Sequence, residues 1–439
     1  MTRSQIYSWK EQKMMIRAGA LTAKEVAASC LERIRRDNPK INALSQVLES
    51  SALETADQVD RCRLQGELAG LCVVVKDMID VNSAVCDGGL GYLAGRTAHT
   101  DADIVTSLKE KGAIILGMGR SDTGGFGIQT PEVCHPLAPE RIVGGSSGGC
   151  AAAVAAGFAP VALGTDSGGS IRIPAACCGI VGFKPTWGVL PVKGILPFAP
   201  TLDHPGLLAW SVDDLAVVAD VLLAHLQKPA ATMSLKDLRI GVDPCFYDEA
   251  DARIKQVMTN IQAALYRSGA QIVPVSLSGP DEVAQIHDPL VVKESMDIHG
   301  PYLDAKTDLG KPVIQSCQAY HATITDAVYR TACQRRLELQ QKIEMLFDTV
   351  HCIILPAMPC LPPKKNIPML RLAGKKRPVD TYLRRYTCLF NVSRHPVVSL
   401  PVKAVLPGIS ISLQIAAPLH ADRHLLQWVS LISQSDFFN

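Results

Sequence analysis

The sequence predicts an α/β fold: one large α/β/α domain over residues 1–439, with a central, mixed, mostly parallel twisted sheet covered by helices on both faces. Three observations lead there. Short runs of strand length alternate with longer segments of helical period along almost the whole chain. The runs at 71–75 and 352–355 are apolar throughout, as strands buried on both faces are. With 439 residues, 47% of them hydrophobic, the chain has side chains enough for a large core. Length alone would suggest two or three domains. The unbroken alternation and the lack of an internal repeat argue for one, and residues 228–236, the least patterned stretch, are the best linker candidate.

Each element has its own signal. Thr22 and Glu25 have capping-box spacing, and Val26, Ala27, Cys30, Leu31 and Ile34 share one face, which predicts a helix over 22–36 that Pro39 stops. A strand is expected over 43–48, then a polar helix to about Gly66, then a buried strand over 71–75 that runs into Lys76-Asp77. Residues 101–111 read as a helix closed by Gly112, 113–116 as a strand, 151–156 as a helix by alanine propensity, and 160–165 as a strand. Ser170 is followed by Ile-Arg-Ile-Pro-Ala, where a helix can start. Ser211 is placed to cap a helix over 212–225. A strand at 238–242, an amphipathic helix at 252–268 and a strand at 271–275 follow, and 282–348 is largely helical. After the strand at 352–355 come a Pro- and Lys-rich loop over 359–376 and a helix over 381–391. Ile409, Ile411, Leu413 and Ile415 alternate with Ser410, Ser412 and Gln414, the pattern of a strand with one polar face, and a helix over 421–433 closes the chain.

Composition narrows the function. Lys+Arg 44 against Asp+Glu 42 leaves +2, so no global field favours nucleic acid or an anionic membrane. No apolar stretch reaches membrane-spanning length; 151–164 is too short and contains Pro160. The 14 cysteines show no Cys-x-x-Cys pair and no regular spacing. Several, Cys72 and vicinal Cys177-Cys178 among them, sit in apolar runs where cysteine serves as a small hydrophobe. With no signal-peptide pattern, a reducing cytoplasm is the expected compartment. No His/Cys/Asp/Glu cluster has metal-ligand spacing, so neither metal nor other cofactor is expected.

Two Gly/Ser clusters dominate the chain: Gly144-Gly145-Ser146-Ser147-Gly148-Gly149, and Gly164-Thr165-Asp166-Ser167-Gly168-Gly169-Ser170-Ile171-Arg172-Ile173-Pro174-Ala175. Successive N–H groups at such turns form anion-binding concavities, and a serine held beside one has donors ready for an oxyanion. A serine hydroxyl still needs a base. Lys76, directly after an apolar strand, is placed where desolvation lowers a lysine pKa, although a lysine at a strand end also reaches solvent easily.

This stretch resembles the amidase signature family. The likeness rests on 144–149, on Ala162-Leu163-Gly164-Thr165-Asp166, on Gly168 through Ala175, and on Cys178-Gly179-Ile180-Val181-Gly182-Phe183-Lys184-Pro185-Thr186, with a core over about 70–210 and weaker similarity along nearly the whole chain. Val75-Lys76-Asp77 with Ile79-Asp80 resembles its lysine motif. The resemblance implies a Ser-cisSer-Lys triad: Ser170 the nucleophile, Ser146 the bridging serine behind a cis peptide bond, Lys76 the neutral base. It implies oxyanion donors at the backbone N–H groups of Ser167, Gly168, Gly169 and Ser170. Ser147, Asp166 and Arg172 are supporting residues, Arg172 either orienting an acidic substrate or holding backbone carbonyls. The chain departs from the pattern at Ser121-Asp122, where Thr-Asn is usual, at Gly125, where a Glu is usual, and at His135, where Asn is common; His135 reads as structural. The N-terminal membrane anchor of some members is not expected.

The function so implied is hydrolysis of a small linear carboxamide to carboxylate and ammonia or amine through an acyl-enzyme on Ser170. The partner would be the small-molecule amide, with no nucleic acid and no membrane; a homodimer is left open. One alternative is the glutaminase (A) subunit of a tRNA-dependent amidotransferase, though 188–203 looks more like the free-standing amidases. A second is an α/β-hydrolase-type Ser-His esterase, since Gly144–Gly148 also fits Gly-x-Ser-x-Gly, but 135–143 makes a poor preceding strand. A third is a non-catalytic binding protein, which would have no use for Lys76, Ser146 and Ser170 together. Phosphate binding lacks a P-loop pattern.

Overall fold

The alternation read from the sequence is realised around one sheet. The computed structural model describes residues 8–229, 233–304, 306–402 and 406–435. The strands are β1 (Leu44–Val47), β2 (Cys72–Lys76), β3 (Ile114–Gly119), β4 (Val161–Asp166), β5 (Val181–Lys184), β6 (His204–Ala209), β7 (Arg239–Val242), β8 (Gln271–Pro274), β9 (Cys352–Pro356), β10 (Met369–Leu372), β11 (Lys375–Pro378), β12 (Val397–Pro401) and β13 (Ser412–Ala416). All but the β10–β11 hairpin join an 11-stranded sheet in the order β1-β3-β2-β4-β6-β5-β12-β13-β9-β7-β8. Helices pack on both faces, burying apolar side chains that extend from Trp9 to Ile432.

The sheet is mixed, as expected, but mostly antiparallel rather than mostly parallel. Only β2–β3, β2–β4, β7–β9 and β7–β8 pair in parallel. The other ladders, β1–β3, β4–β6, β5–β6, β5–β12, β12–β13 and β9–β13, are antiparallel. Helix–strand alternation does produce parallel crossovers: β4 and β5, joined through the helix Arg172–Cys178, run the same way. β6 then slots between them in the opposite sense and turns one parallel neighbour relation into two antiparallel ladders. The short, glycine- and proline-bearing β5, β6 and β12 carry little local signal, so nothing in the pattern announces them.

Local signals decide most element ends. Glu25 N–H donates to Thr22 Oγ1 (3.1 Å) and Thr22 N–H to Glu25 Oε2 (2.7 Å), completing the box that opens the helix Ala23–Ile41. Pro39 does not stop that helix. Placed in the last turn it costs one hydrogen bond, and the helix ends at Asn42, which takes the left-handed conformation (φ 57°). Ser211 caps Val212–Leu222 as read, accepting from Asp214 N–H at 3.1 Å. The 359–376 loop contains β10 and the start of β11. The helix expected over 381–391 is two short ones, Val379–Leu383 and Cys388–Val392. Residues 230–232 of the linker candidate lie outside the described residues; Leu235–Asp237 is a single 3₁₀ turn. In β13 the polar positions face protein, not water: Ser412 and Gln414 are buried, and Gln414 is used by the site below.

Two features set up that site. β2 and β4 are parallel neighbours with Val75 opposite Leu163, so Lys76 and the Thr165-Asp166 pair leave the sheet together at their carboxyl ends, the edge where open α/β sheets place ligands. Between them in sequence, the all-buried helix Gly148–Ala155 packs its small residues closely on the sheet and brings the first Gly/Ser cluster to the same edge.

Candidate active site

Lys76, on the last position of β2, is fully buried. Its Nζ makes two hydrogen bonds, to Ser146 Oγ at 2.7 Å and to Thr165 Oγ1 at 2.8 Å. Burial pushes its ammonium down to about 8, against the opposing pull of Cys150, Asp77, Asp166 and Asp203. Asp77, next in the chain, turns away: its carboxylate accepts Ser121 N–H at 3.1 Å and faces Ser45 Oγ at 3.5 Å. Burial raises that carboxyl to about 6.

The Gly145–Ser146 peptide bond is cis, as the family resemblance implies. Ser146 O accepts Asp122 N–H at 2.9 Å. The Asp122 carboxylate in turn accepts the N–H groups of Gln129 (3.1 Å) and Thr130 (2.9 Å), so the aspartate standing in place of the family's asparagine ties three loop segments together. Ser147 links the two Gly/Ser loops through Ser147 N–H to Ser170 O (3.1 Å) and Ser147 Oγ–H to Thr165 O (3.3 Å).

The second loop is built around Asp166. Its carboxylate accepts N–H groups from Gly169 (2.8 Å), Ile171 (3.2 Å) and Arg172 (3.4 Å). Arg172 sits against it with Nε at 3.0 Å and Nη2 at 2.9 Å, both side chains fully buried. The remaining guanidinium bonds go to Thr387 O, Gln414 Oε1 and Asn391 Oδ1. All five N–H positions of Arg172 are therefore committed to protein, which rules out its orienting an acidic substrate and leaves the structural role. Burial alone would raise the Asp166 carboxyl; Arg172, Asn391 and Lys184 hold it well below the usual carboxylate range instead.

The predicted oxyanion donors divide. Gly169 is a correction: its N–H is taken by Asp166 Oδ1. Its φ of +124° suits glycine, and a Cβ there would lie 2.3 Å from Thr387 Oγ1. The N–H groups of Ser167, Gly168 and Ser170 have no acceptor among the described residues. The helix begins at Arg172, not at Ser170, which leaves Ser170 at the end of the turn with its Oγ free of hydrogen bonds among the described residues.

Ser167, Gly168 and Ser170 line a cavity of about 580 Å³. Phe126, Val291 and Val292 give it an apolar wall, and His287, Asp288 and Arg384 a polar one. Arg384 binds both carboxylate oxygens of Asp288. Gly125, where a Glu is usual in the family, also borders it; a Cβ there would touch Met78 and Phe198 at 3.4–3.5 Å. His135 is far from any such role: fully buried, it donates from Nε2 to Cys177 O (2.9 Å) and accepts the N–H groups of Leu137 (3.2 Å) and Ala138 (3.0 Å) at Nδ1. Cys177 and Cys178 are buried and unpaired, as packing residues are.

Sequence reading does not single out Thr165, Asp203, His287, Thr387 or Asn391. Thr165 lies inside the second Gly/Ser cluster, where its hydroxyl is a visible candidate. Asp203 accepts Ser167 Oγ–H at 2.5 Å and the N–H groups of Phe198 and Ala199. The other three lie more than 110 positions from the loop they touch and have no local pattern. Among the described residues, no helix is long and apolar enough to cross a membrane, and no group of three or more His, Cys, Asp or Glu is placed to hold a metal ion.

Comparison with known proteins agrees with this geometry. The family model described as Amidase matches residues 25–426. The A subunit of glutamyl-tRNA(Gln) amidotransferase from Fusobacterium nucleatum subsp. nucleatum is 30% identical, over 89% of this chain and 89% of its own. Its counterpart from Methanothermobacter thermautotrophicus is 30% identical, over 92% and 94%. Among solved structures, an inhibitor-bound complex from a study of a vestigial protein complex and the origins of an s-triazine catabolic enzyme superposes with a TM-score of 0.89 at 27% identity, covering 99% of this chain and 100% of that one.

Proposed function

Since the chain belongs to the amidase family, we propose that it cleaves a carboxamide C–N bond through an acyl-enzyme on Ser170, with Lys76 and Ser146 as its proton relay. The observation that carries this is the buried Lys76 Nζ held 2.7 Å from Ser146 Oγ, beside the cavity that Ser170 lines. Neutral Lys76 accepts the Ser146 proton while Ser146 Oγ accepts that of Ser170. Ser170 Oγ attacks the carbonyl carbon, and the oxygen that becomes negative is met by the N–H groups of Ser167, Gly168 and Ser170. The relay returns the proton to the amide nitrogen, the C–N bond breaks, and ammonia or an amine departs. Water then repeats the sequence on the ester, and the carboxylate leaves.

The substrate reading supported best is glutamine, as for the glutaminase component of a tRNA-dependent amidotransferase. This reverses the order of preference drawn from the sequence. Its supports are the likeness to two such proteins over about nine-tenths of both chains and the Asp288–Arg384 pair in the cavity wall. A free α-amino acid head carries one charge of each sign, as that wall does, and it would share the donors and lone pairs that Arg384 and Asp288 do not spend on each other. The apolar wall at Phe126, Val291 and Val292 favours a free-standing amidase for a small linear carboxamide as the second reading. Ammonia release by the purified chain from L-glutamine and from butyramide, which has the same reacting amide without the charged head, separates the two. Glutamine should be the better substrate, and turnover of butyramide with glutamine inert would establish the second reading.

A further inference from the structure

The oxyanion loop is held from behind, carbonyl by carbonyl. In a trans peptide unit the C=O and the following N–H point in opposite directions, so a donor that seizes a carbonyl also aims the next N–H. Asp166 O accepts Asn391 Nδ2–H at 3.1 Å and faces His204 Nδ1 at 3.2 Å. Gly168 O accepts Thr387 Oγ1–H at 2.7 Å, which turns Gly169 N–H to Asp166. Between them Ser167 O lies 3.0 Å from His287 Nε2, on the helix Pro280–His299. A carbonyl only accepts, so Nε2 carries the proton. The other ring nitrogen lies 3.3 Å from Asp288 Oδ1 and 3.4 Å from Arg384 Nη1. It either accepts from the guanidinium or, in the imidazolium, donates to the carboxylate; Nε2–H persists in both states. Glycine at 168 gives this approach its room: a Cβ there would stand 3.0 Å from His287 Nε2, a tight contact.

We propose that His287 is a positioning residue for the oxyanion hole: by donating to Ser167 O it fixes the Ser167–Gly168 peptide plane and aims Gly168 N–H at the developing oxyanion. This rests on the reading of Ser170 as nucleophile. The role needs a buried hydrogen-bond donor and nothing else of histidine, so a residue that donates without titrating should serve in its place.

The test is the second-order rate of Ser170 labelling by a fluorophosphonate, whose phosphoryl oxygen needs the same donors, in the wild type, His287→Gln and His287→Leu. Labelling of the wild type tests the Ser170 reading by itself. Given that labelling, removing one oxyanion donor costs about 100-fold or more, so His287→Leu should label roughly 100-fold more slowly while still unfolding in one cooperative transition above the assay temperature. His287→Gln, which keeps an N–H at similar reach, should recover most of the rate. Wild-type labelling in His287→Leu, or a His287→Gln as slow as His287→Leu, overturns the proposal and leaves the nucleophile untouched. If the leucine variant fails to fold, the glutamine variant decides alone: a slow but folded His287→Gln overturns the proposal, and near-wild-type labelling upholds it.

Discussion

Lys76 Nζ and Ser146 Oγ lie 2.7 Å apart in a site where the lysine has no contact with solvent. A charged lysine there has no lone pair to accept a proton. Burial brings its pKa to about 8, so a useful fraction is neutral near pH 7. Protonation below that value blocks the relay. The expected kcat/KM therefore rises with pH along a limb with its midpoint near 8, well below the 10.4 of a free lysine. Lys76→Ala should remove the limb with most of the activity, and Lys76→Arg should not restore it, because arginine stays protonated. A near-wild-type rate in Lys76→Arg, measured across the same pH range, would sink the role of Lys76 as acceptor.

Ser170→Ala should abolish amide hydrolysis and leave the melting temperature close to that of the wild type. The reason is that Ser170 Oγ supports no hydrogen bond among the described residues. Peptide mapping after a sulfonyl fluoride should place the adduct on Ser170; an adduct on Ser146 with Ser170 untouched would reverse the two roles.

Asp166→Asn is expected to destabilise the fold by about 3–5 kcal/mol, the usual cost of removing one partner from a buried ion pair. It leaves Arg172 buried with its main countercharge gone. The carboxyl pKa is depressed on folding, so its contribution is complete above the unfolded value near 3.9 and is lost as pH falls below that. Urea midpoints at pH 7 and pH 3 for both proteins should thus converge toward acid. Equal stability of the variant and the wild type at pH 7 would contradict the account of the loop.

Arg384→Ala should raise KM for glutamine by about 10- to 100-fold, the range of a charge-assisted hydrogen bond of roughly 1.5–3 kcal/mol. The ratio of glutamine to butyramide turnover should fall with it. An unchanged ratio would leave the charged wall without a part in choosing the substrate.

Chelators should leave activity unchanged, since the relay supplies base and nucleophile from side chains. Loss of ammonia release in EDTA, restored by a divalent ion, would point to different chemistry.

Much of this was legible in the sequence because it is local. Capping at Thr22 and Ser211 is decided over one helical turn; Lys76, Ser146 and Ser170 each stand in a short motif that carries the family resemblance, although Lys76 meets Ser146 across 70 positions. What was not legible depends on partners distant in the chain. Arg172 has two readings in the sequence, and Thr387, Asn391 and Gln414 decide between them by taking its remaining donors. Gly169 reads as an oxyanion donor, yet Asp166 holds its N–H. Alternating serines at 410 and 412 suggest a wet face, but the central strand buries both sides: Gln414 is bonded internally, while Ser412 Oγ is buried without a partner among the described residues. The sense of the sheet is hidden for the same reason: no local signal says that β6 inserts between β4 and β5.

The loop that bears Ser170 is secured by Asn391 and Thr387, synthesised more than 200 residues after it. On a translating ribosome, all three members of the proposed relay emerge long before the side chains that shape their anion-binding turn. A nascent or prematurely terminated chain ending before residue 387 therefore carries Ser170, the proposed nucleophile, without the side chains that hold its turn. Under the proposed mechanism, hydrolysis waits on synthesis of residues 387–391.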